Sequence, residues 1–420
     1  MLKIPMVLPK FKVFNISSPP TKTAKLNIYF LPYILCREKA NSIYERRDFS
    51  TMKFSCDKHQ LVETVTNVQR AVSVKSTIPS LEGILLKTSE ETVTLCGYNL
   101  ELGMTTVLQS HVEEPGKIVI SAKLFGDIVR RLPNDQVTIS VDDNNRMTIV
   151  SGESTFTITG IPAEEYPDLP TVHDEDAITV PQGMLKNMIR QTIFAVAEND
   201  AKPIHTGTLF ELCPDCFRLV SVDGYRLAVR EEKMNCSKNT NFVVPGKTLS
   251  ELLRLLKDDG DETVTLHIAT RHIVFTLDNY TLVSRLLEGE FLDYHSALPK
   301  QKTTEITVKV RDFVESVERV SLLITDRLKS PIRCIFENDE IRLFCSTPIG
   351  RANDRFPAHI QGQSLEMGFN NRYLLDALRN SECDEVKISL SGAISPMLIT
   401  PKDSEEFLFL VLPVRLKADY

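Results

Sequence analysis

No apolar run in this 420-residue chain approaches the roughly 20 residues that a membrane-spanning helix requires. The amino terminus lacks the uninterrupted apolar core and small-residue cleavage site of a signal peptide. The nine cysteines are scattered, not set at framework spacings. That excludes a disulfide scaffold and points to a reducing compartment, the cytoplasm. The eight histidines share no ligand spacing such as HxxxH, and neither GxxxxGK[ST] nor GxGxxG occurs. An enzyme would need a nucleophile with its base, or a metal cluster, and the sequence offers neither. The nearest approach to a metal site is Cys213-Pro214-Asp215-Cys216. It has no second pair close by, its flanks read as two strands, and Pro-Asp is turn chemistry. No cofactor and no metal are therefore expected. A helix of concentrated base-reading residues on a basic domain is also missing, which argues against a sequence-reading regulator.

What is present is a soluble-type composition, 42% apolar and 25% charged. Residues 1–51 stand apart. They hold nine Lys/Arg against three Asp/Glu, five prolines and no period. Periodicity begins abruptly at Met52-Lys53-Phe54, so 1–51 is expected to be an extension, disordered or upstream of the true start. Without it the totals of 49 basic and 56 acidic residues fall to 40 and 53, a net charge of −13. Such a body does not hold nucleic acid by bulk charge. Any contact with DNA has to come from local placement of Lys and Arg.

From Met52 the chain repeats itself three times. Each unit opens with a short strand and an amphipathic helix, continues through hairpin strands to a second helix, and closes with more strands. The first unit predicts helices over His59–Val72 and Ala122–Leu132. Leu61, Val65, Val68 and Val72 line the first, and Leu124, Ile128, Val129 and Leu132 face inward on the second, behind a Ser121 cap. The second opens at Ala177 with a helix from Pro181 to about Ala197, and has a second helix after Val244-Pro245. The third opens at Glu305, with its second helix after Gly368-Phe369-Asn370. The fold class is α+β, three tandem similar domains with two helices each on antiparallel sheets. The boundaries read 52–172, 176–300 and 303–416, followed by a tail at 417–420.

The helices carry basic pairs away from their apolar stripes: Lys123 and Arg130, Lys186 and Arg190, Lys247 and Arg254, Arg372 and Arg379. Most acid lies in strands and loops. The pattern predicts a basic helical surface on an acidic shell. Two further stretches stand out, Val222-Asp223-Gly224-Tyr225-Arg226-Leu227 and Leu410-Val411-Leu412-Pro413-Val414-Arg415. Asp-Gly is a hairpin-turn pair, which accounts for Asp223 without catalysis. The two stretches are read as walls of one surface pocket.

Met52-Lys53-Phe54, Tyr166-Pro167-Asp168, Asp223-Gly224-Tyr225-Arg226-Leu227-Ala228, Val243-Val244-Pro245, Gly289-Glu290-Phe291-Leu292-Asp293-Tyr294 and Leu412-Pro413-Val414-Arg415-Leu416 together resemble the bacterial β sliding clamps of replicative DNA polymerase III. The likeness spans residues 52 to about 416. It implies a head-to-tail homodimeric ring of six domains that encircles duplex DNA and tethers partners for processive synthesis. Those partners are the polymerase III catalytic subunit, the clamp loader and repair or other polymerases, bound through short linear motifs. The alternatives are a sequence-independent DNA-binding or regulatory protein without ring closure, or an enzyme with a metal at Cys213 and Cys216. By resemblance the peptide pocket comprises Val222, Gly224, Tyr225, Arg226, Leu227, Leu292, Leu410, Leu412, Pro413, Val414 and Arg415. Arg226 and Gly224 are expected at its rim. Lys75, Lys123, Lys202, Lys247 and Arg254 are expected to touch DNA. Phe156, Ile158, Leu323 and Ile324 are expected at the dimer interface.

Overall fold

A computed structural model describes residues 51–171, 177–199, 202–235, 239–258, 260–299, 301–325 and 330–416. The extension through residue 50 and the tail at 417–420 lie outside the described residues.

Unit I comprises β1 (Met52–Asp57), α1 (Lys58–Val68), β2 (Gly83–Ser89), β3 (Thr92–Tyr98), β4 (Leu102–Gln109), β5 (His111–Glu114), β6 (Lys117–Ser121), α2 (Ala122–Val129), β7 (Gln136–Val141), β8 (Arg146–Ser151) and β9 (Ser154–Thr159). Unit II comprises β10 (Ala177–Pro181), α3 (Gln182–Ile193), β11 (Gly207–Leu212), β12 (Cys216–Val222), β13 (Arg226–Lys233), β14 (Thr240–Pro245), α4 (Gly246–Leu255), β15 (Thr263–Ile268), β16 (His272–Leu277) and β17 (Tyr280–Arg285). Unit III comprises β18 (Thr304–Lys309), α5 (Val310–Ser321), β19 (Ile332–Glu337), β20 (Glu340–Thr347), β21 (Gly350–Pro357), β22 (His359–Gly362), β23 (Leu365–Phe369), α6 (Asn371–Arg379), β24 (Glu385–Leu390), β25 (Met397–Pro401) and β26 (Phe407–Val411).

The apolar stripes become the cores. Leu61, Val65 and Val68 of α1, Leu185 and Ile189 of α3, and Phe313, Val317 and Val320 of α5 are buried against their sheets. Caps set the starts: Asp57, Ser121 and Asn370 accept backbone N–H bonds from Gln60, Leu124 and Arg372. Pro181 is itself the residue before α3, not part of its first turn. One inward expectation fails. Leu124 is nearly half exposed, and Phe125 fills the core beside α2. At the start of this short helix the buried face runs through Ala122, Phe125, Gly126, Ile128 and Val129, one residue round from the sequence reading.

Strand pairing carries the units across their joints. Unit I meets unit II where β4 pairs antiparallel with β17, placing Met104 opposite Leu282. Unit II meets unit III where β13 pairs with β26, placing Ala228 opposite Phe409. Both joints join the third strand of one unit's hairpin meander to the last strand of the next unit. They make continuous eight- and nine-stranded sheets. The chain leaving each unit then folds back onto that unit's own sheet, through bridges Val119–Ile161, Val243–Leu287 and Gly368–Val414.

Candidate functional site

The pocket stretch begins with a turn. β12 and β13 are joined through Asp223, Gly224 and Tyr225, and Asp223 N donates to Arg226 O at 3.2 Å. The central positions are Gly224 and Tyr225, one residue later than Asp-Gly chemistry predicts. Gly224 has φ +82° and Tyr225 does not share the left-handed conformation, so the glycine alone takes the left-handed backbone of this bend. Asp223 still serves the turn. Its carboxylate accepts from Tyr225 N at 2.9 Å and Arg226 N at 3.0 Å.

This geometry sends Tyr225 out to solvent, 60% exposed. Its ring stacks on Tyr373 of α6 at 5.8 Å. Leu412 N donates to Tyr225 O at 2.9 Å, so the strand end after β26 is fastened to the turn. Val414 N donates to Gly368 O at 2.8 Å. Leu416 then lies over Gly368, where a Cβ would come within 2.7 Å of its side chain. Leu412, Val414 and Leu292 are each about two-fifths exposed, and Gly224 and Arg415 are exposed. Sequence reasoning did not single out Tyr373 or Ile394. Ile394 is 84% exposed in the loop before β25. Met397 pairs with Val411, so that loop and Leu412 stand at one end of the sheet.

Four expected lining residues are largely covered in this structure. Val222, Leu227 and Leu410 are almost fully buried in a cluster with Ile204, Leu209, Val220, Val243, Tyr294 and Leu398. They form the floor beneath the site: paired side by side, they share the sheet face to which Leu412, two residues past Leu410, also belongs. Arg226 is not at the rim. Its guanidinium binds Asp223 at 2.9 Å and Asp376 of α6, and lies 4.6 Å from the Tyr373 ring and 5.7 Å from Phe194. It pins unit II to unit III under the aromatic pair.

The basic residues divide likewise. Lys75, Lys123, Lys247 and Arg254 are exposed. Lys247, at the start of α4, lines a cavity of about 1140 Å³ with Arg70, Arg285 and Glu251 among others. Lys202 instead joins Ile204, Phe291 and Leu292 around a second cavity of about 600 Å³. Arg254 lies 3.5 Å from the Glu251 carboxylate, and the other helical cations are largely neutralised. Lys186 binds Asp258 at 2.8 Å, Arg190 binds Asp258 and Glu382 at 3.0 Å, and Arg130 binds Asp127 at 2.9 Å. Lys186 and Arg190 hold the Asp258 carboxyl below its ordinary range. The basic helical surface is thus narrower than the sequence suggests: Arg130 is paired with an acid of its own helix, and the acids that hold Lys186 and Arg190 come from remote loops.

Cys213 and Cys216 flank the turn between β11 and β12, with Cys213 N donating to Cys216 O at 2.8 Å. Burial, then the neighbouring Cys213 thiol, pushes the Cys216 thiol up to about 12. A protonated thiol is a poor nucleophile and metal ligand.

Of the expected interface residues, Phe156 and Ile158 lie on a strand that ends a sheet, and Leu323 and Ile324 follow α5. β9 and β21 each end a sheet. Phe156 on β9 is 37% exposed and Ile158 is half-buried. Leu323 and Ile324 are half-buried against their own unit's core. Exposed apolar residues there are Leu322, 81% open at the end of α5, and Ile349, 66% open in the turn before β21.

Three successive models of the DNA polymerase III beta subunit match this architecture: the N-terminal domain over residues 52–170, the central domain over 179–293 and the C-terminal domain over 295–415. The chain belongs to the DNA polymerase III beta subunit family. Among curated relatives, the Beta sliding clamp of Bacillus subtilis (strain 168) is 35% identical over 377 residues, covering 87% of this chain and 100% of the relative. That of Halalkalibacterium halodurans is 33% identical over 381 residues, with the same coverage. Among solved structures, the Bacillus subtilis DNA polymerase sliding clamp superposes with a TM-score of 0.84 at 34% identity, covering 87% of this chain and 100% of that one. A Pseudomonas aeruginosa sliding clamp bound to griselimycin gives 0.81 at 28%, again covering 87% and 100%. The protein is a sliding clamp of three tandem α+β domains. Clamps are processivity factors and not enzymes. No described helix of this clamp is long and apolar enough to cross a membrane.

Proposed function

We propose that two copies of this chain close head-to-tail into a ring that encircles duplex DNA, and that short peptides of replication and repair proteins dock at Tyr225, Leu412, Val414 and Leu292. The observation that carries the ring is an unfilled position. Counted from their hairpins, Leu282 of β17 and Phe409 of β26 correspond to Phe156 of β9. Both are fully buried in the joints their strands make, while Phe156 is 37% exposed. The strand to complete the series is β21, the third strand of unit III's meander. The register of the two existing joints sets Phe156 opposite Ala352 and Ile158 opposite Gly350. Leu322 ends α5 as Phe194 ends α3, and Phe194 meets Phe409 edge to face at 5.2 Å. Leu322 of one copy therefore covers Phe156 of the other, with Leu323 and Ile324 behind it. Because this contact is heterologous, two of them close a two-chain ring.

In the ring the helices face the hole. Lys75, Lys123, Lys247 and Arg254 touch phosphates, which position without reading sequence. Lys202 belongs with the peptide site through its cavity with Leu292. The peptide site offers Tyr225, Leu412 and Leu292 to an apolar anchor, over the floor of Val222, Leu227 and Leu410, with Pro413 and Arg415 at its edge. Its occupants are peptides of the polymerase III catalytic subunit, the clamp loader and other polymerases, acting on DNA in the cell interior.

Solution mass tests the ring. The chain has a mass of 47.4 kDa, and the native protein is expected at twice that, with Phe156→Asp and Leu322→Asp each monomeric and folded. A native monomer at every usable concentration overturns ring closure.

A further inference from the structure

We infer that Tyr294 is a positioning residue for peptide binding, a latch that fixes the Leu292 wall; this rests on the peptide site proposed above. Leu292 stands exposed in the connection between units II and III, between two anchored rings. On one side Phe291 packs edge to face on His205 at 5.6 Å. On the other Tyr294 is 4% exposed in the cluster that floors the site.

The hydroxyl of Tyr294 is held by an ionic cluster. It donates to Glu211 at 2.8 Å and accepts from Arg218 at 3.2 Å. Arg218 also binds Glu211 at 3.0 Å and Glu231 through Nε at 2.8 Å. Glu231 lies on β13, the strand that begins at Arg226 beside the turn. One network thus ties the connection carrying Leu292 to the strand leading from Tyr225. Burial raises the Tyr294 phenol, and the Glu211 carboxylate raises it further, so it stays a neutral donor.

The repeat supplies an internal comparison. Unit I also buries a tyrosine in the stretch that follows its last strand, five residues past its bridge at Ile161 where Tyr294 lies seven past Leu287. Tyr166 is buried in its own unit's cluster and donates to the Cys96 carbonyl at 3.3 Å, with no charged partner among the described residues. Hairpin counting places Thr94 where unit II has Arg218, and Lys87 where it has Glu211. The ionic wiring is present in the copy that adjoins the peptide site and missing from the copy that does not. A tyrosine that merely closed a sheet would not need it.

The test uses the full-length dimer and a fluorescein-labelled hexapeptide ending in Leu-Phe, titrated by anisotropy. Tyr294→Phe keeps the ring and removes the hydroxyl. It is expected to lower affinity roughly threefold to tenfold and to speed amide exchange around Leu292 about tenfold, with β13 unchanged. The affinity loss should disappear in a Leu292→Ala background, because the latch acts through that wall. Tyr166→Phe should leave binding unchanged. Unaltered affinity in Tyr294→Phe, or the same loss with and without Leu292, overturns the latch. If instead Leu412→Asp leaves peptide binding intact, the peptide site itself is misplaced and the latch falls with it.

Discussion

At Gly224 the φ of +82° is the whole constraint, since a Cβ there would meet nothing within 4 Å. Gly224→Ala is therefore expected to cost about 1–2 kcal/mol through backbone strain alone, read as a lower denaturation midpoint at unchanged slope; an unchanged midpoint contradicts it. The need for a glycine was legible in the sequence, but the turn's centre was not, because Asp223 bonds to the turn from just before its centre. Cations show the same limit. Lys186 and Arg190 share a helical face as their spacing implies, yet their neutralising acids lie at Asp258 and Glu382. No local pattern reveals partners so far along the chain. Lys247 forms no ion pair among the described residues, so Lys247→Glu should weaken equilibrium DNA binding and reduce its salt slope by about one. Arg190→Gln should change stability and leave the slope alone. Equal effects of the two on the slope would restore the broad basic surface that the helix faces suggest.

Among the elements, strands that end a sheet carry the information about assembly. Exposed edges invite pairing, and β9 and β21 are the last strand and the third meander strand that the two joints within the chain use elsewhere. This gives a register as well as a contact. In otherwise unaltered protein, Phe156→Cys with Ala352→Cys should form an interchain disulfide on mild oxidation. Phe156→Cys with Asn353→Cys should not, because Asn353 faces the other side of β21. Efficient cross-linking of the second pair alone would shift the register and move Phe156 to the wrong face. The repeat itself was readable from helix stripes and strand alternation, since those are local consequences of burial. The joints were not, because strand pairing between β4 and β17 or β13 and β26 joins segments whose sequences give no sign of their neighbour. Leu322 was missed for a related reason. It follows α5 directly, and only the place of Phe194 in a finished joint shows what such a residue does.

At the scale of the whole molecule, function follows from closure more than from any one contact. The body from residue 52 has a net charge of −13, and among the described residues few helical cations lack an acidic partner. Attraction of that size does not hold a protein on DNA at physiological salt, while a closed ring needs only weak, redundant phosphate contacts and slides for that reason. On the proposal made above, the peptide site at Tyr225 and Leu412 faces outward and stays available to partners during sliding. The measurement that tests this most directly compares retention on two DNA forms of equal length. The protein is loaded by a clamp loader with ATP onto nicked circular DNA, the loader is removed, and half of the sample is linearised with a single-cut nuclease. Closure predicts persistence on the circles for many minutes, rapid loss from the linear form, and restored retention when both linear ends are blocked by bound protein. Equal retention on both forms, lost steeply as salt rises, would show ordinary electrostatic binding and contradict the account.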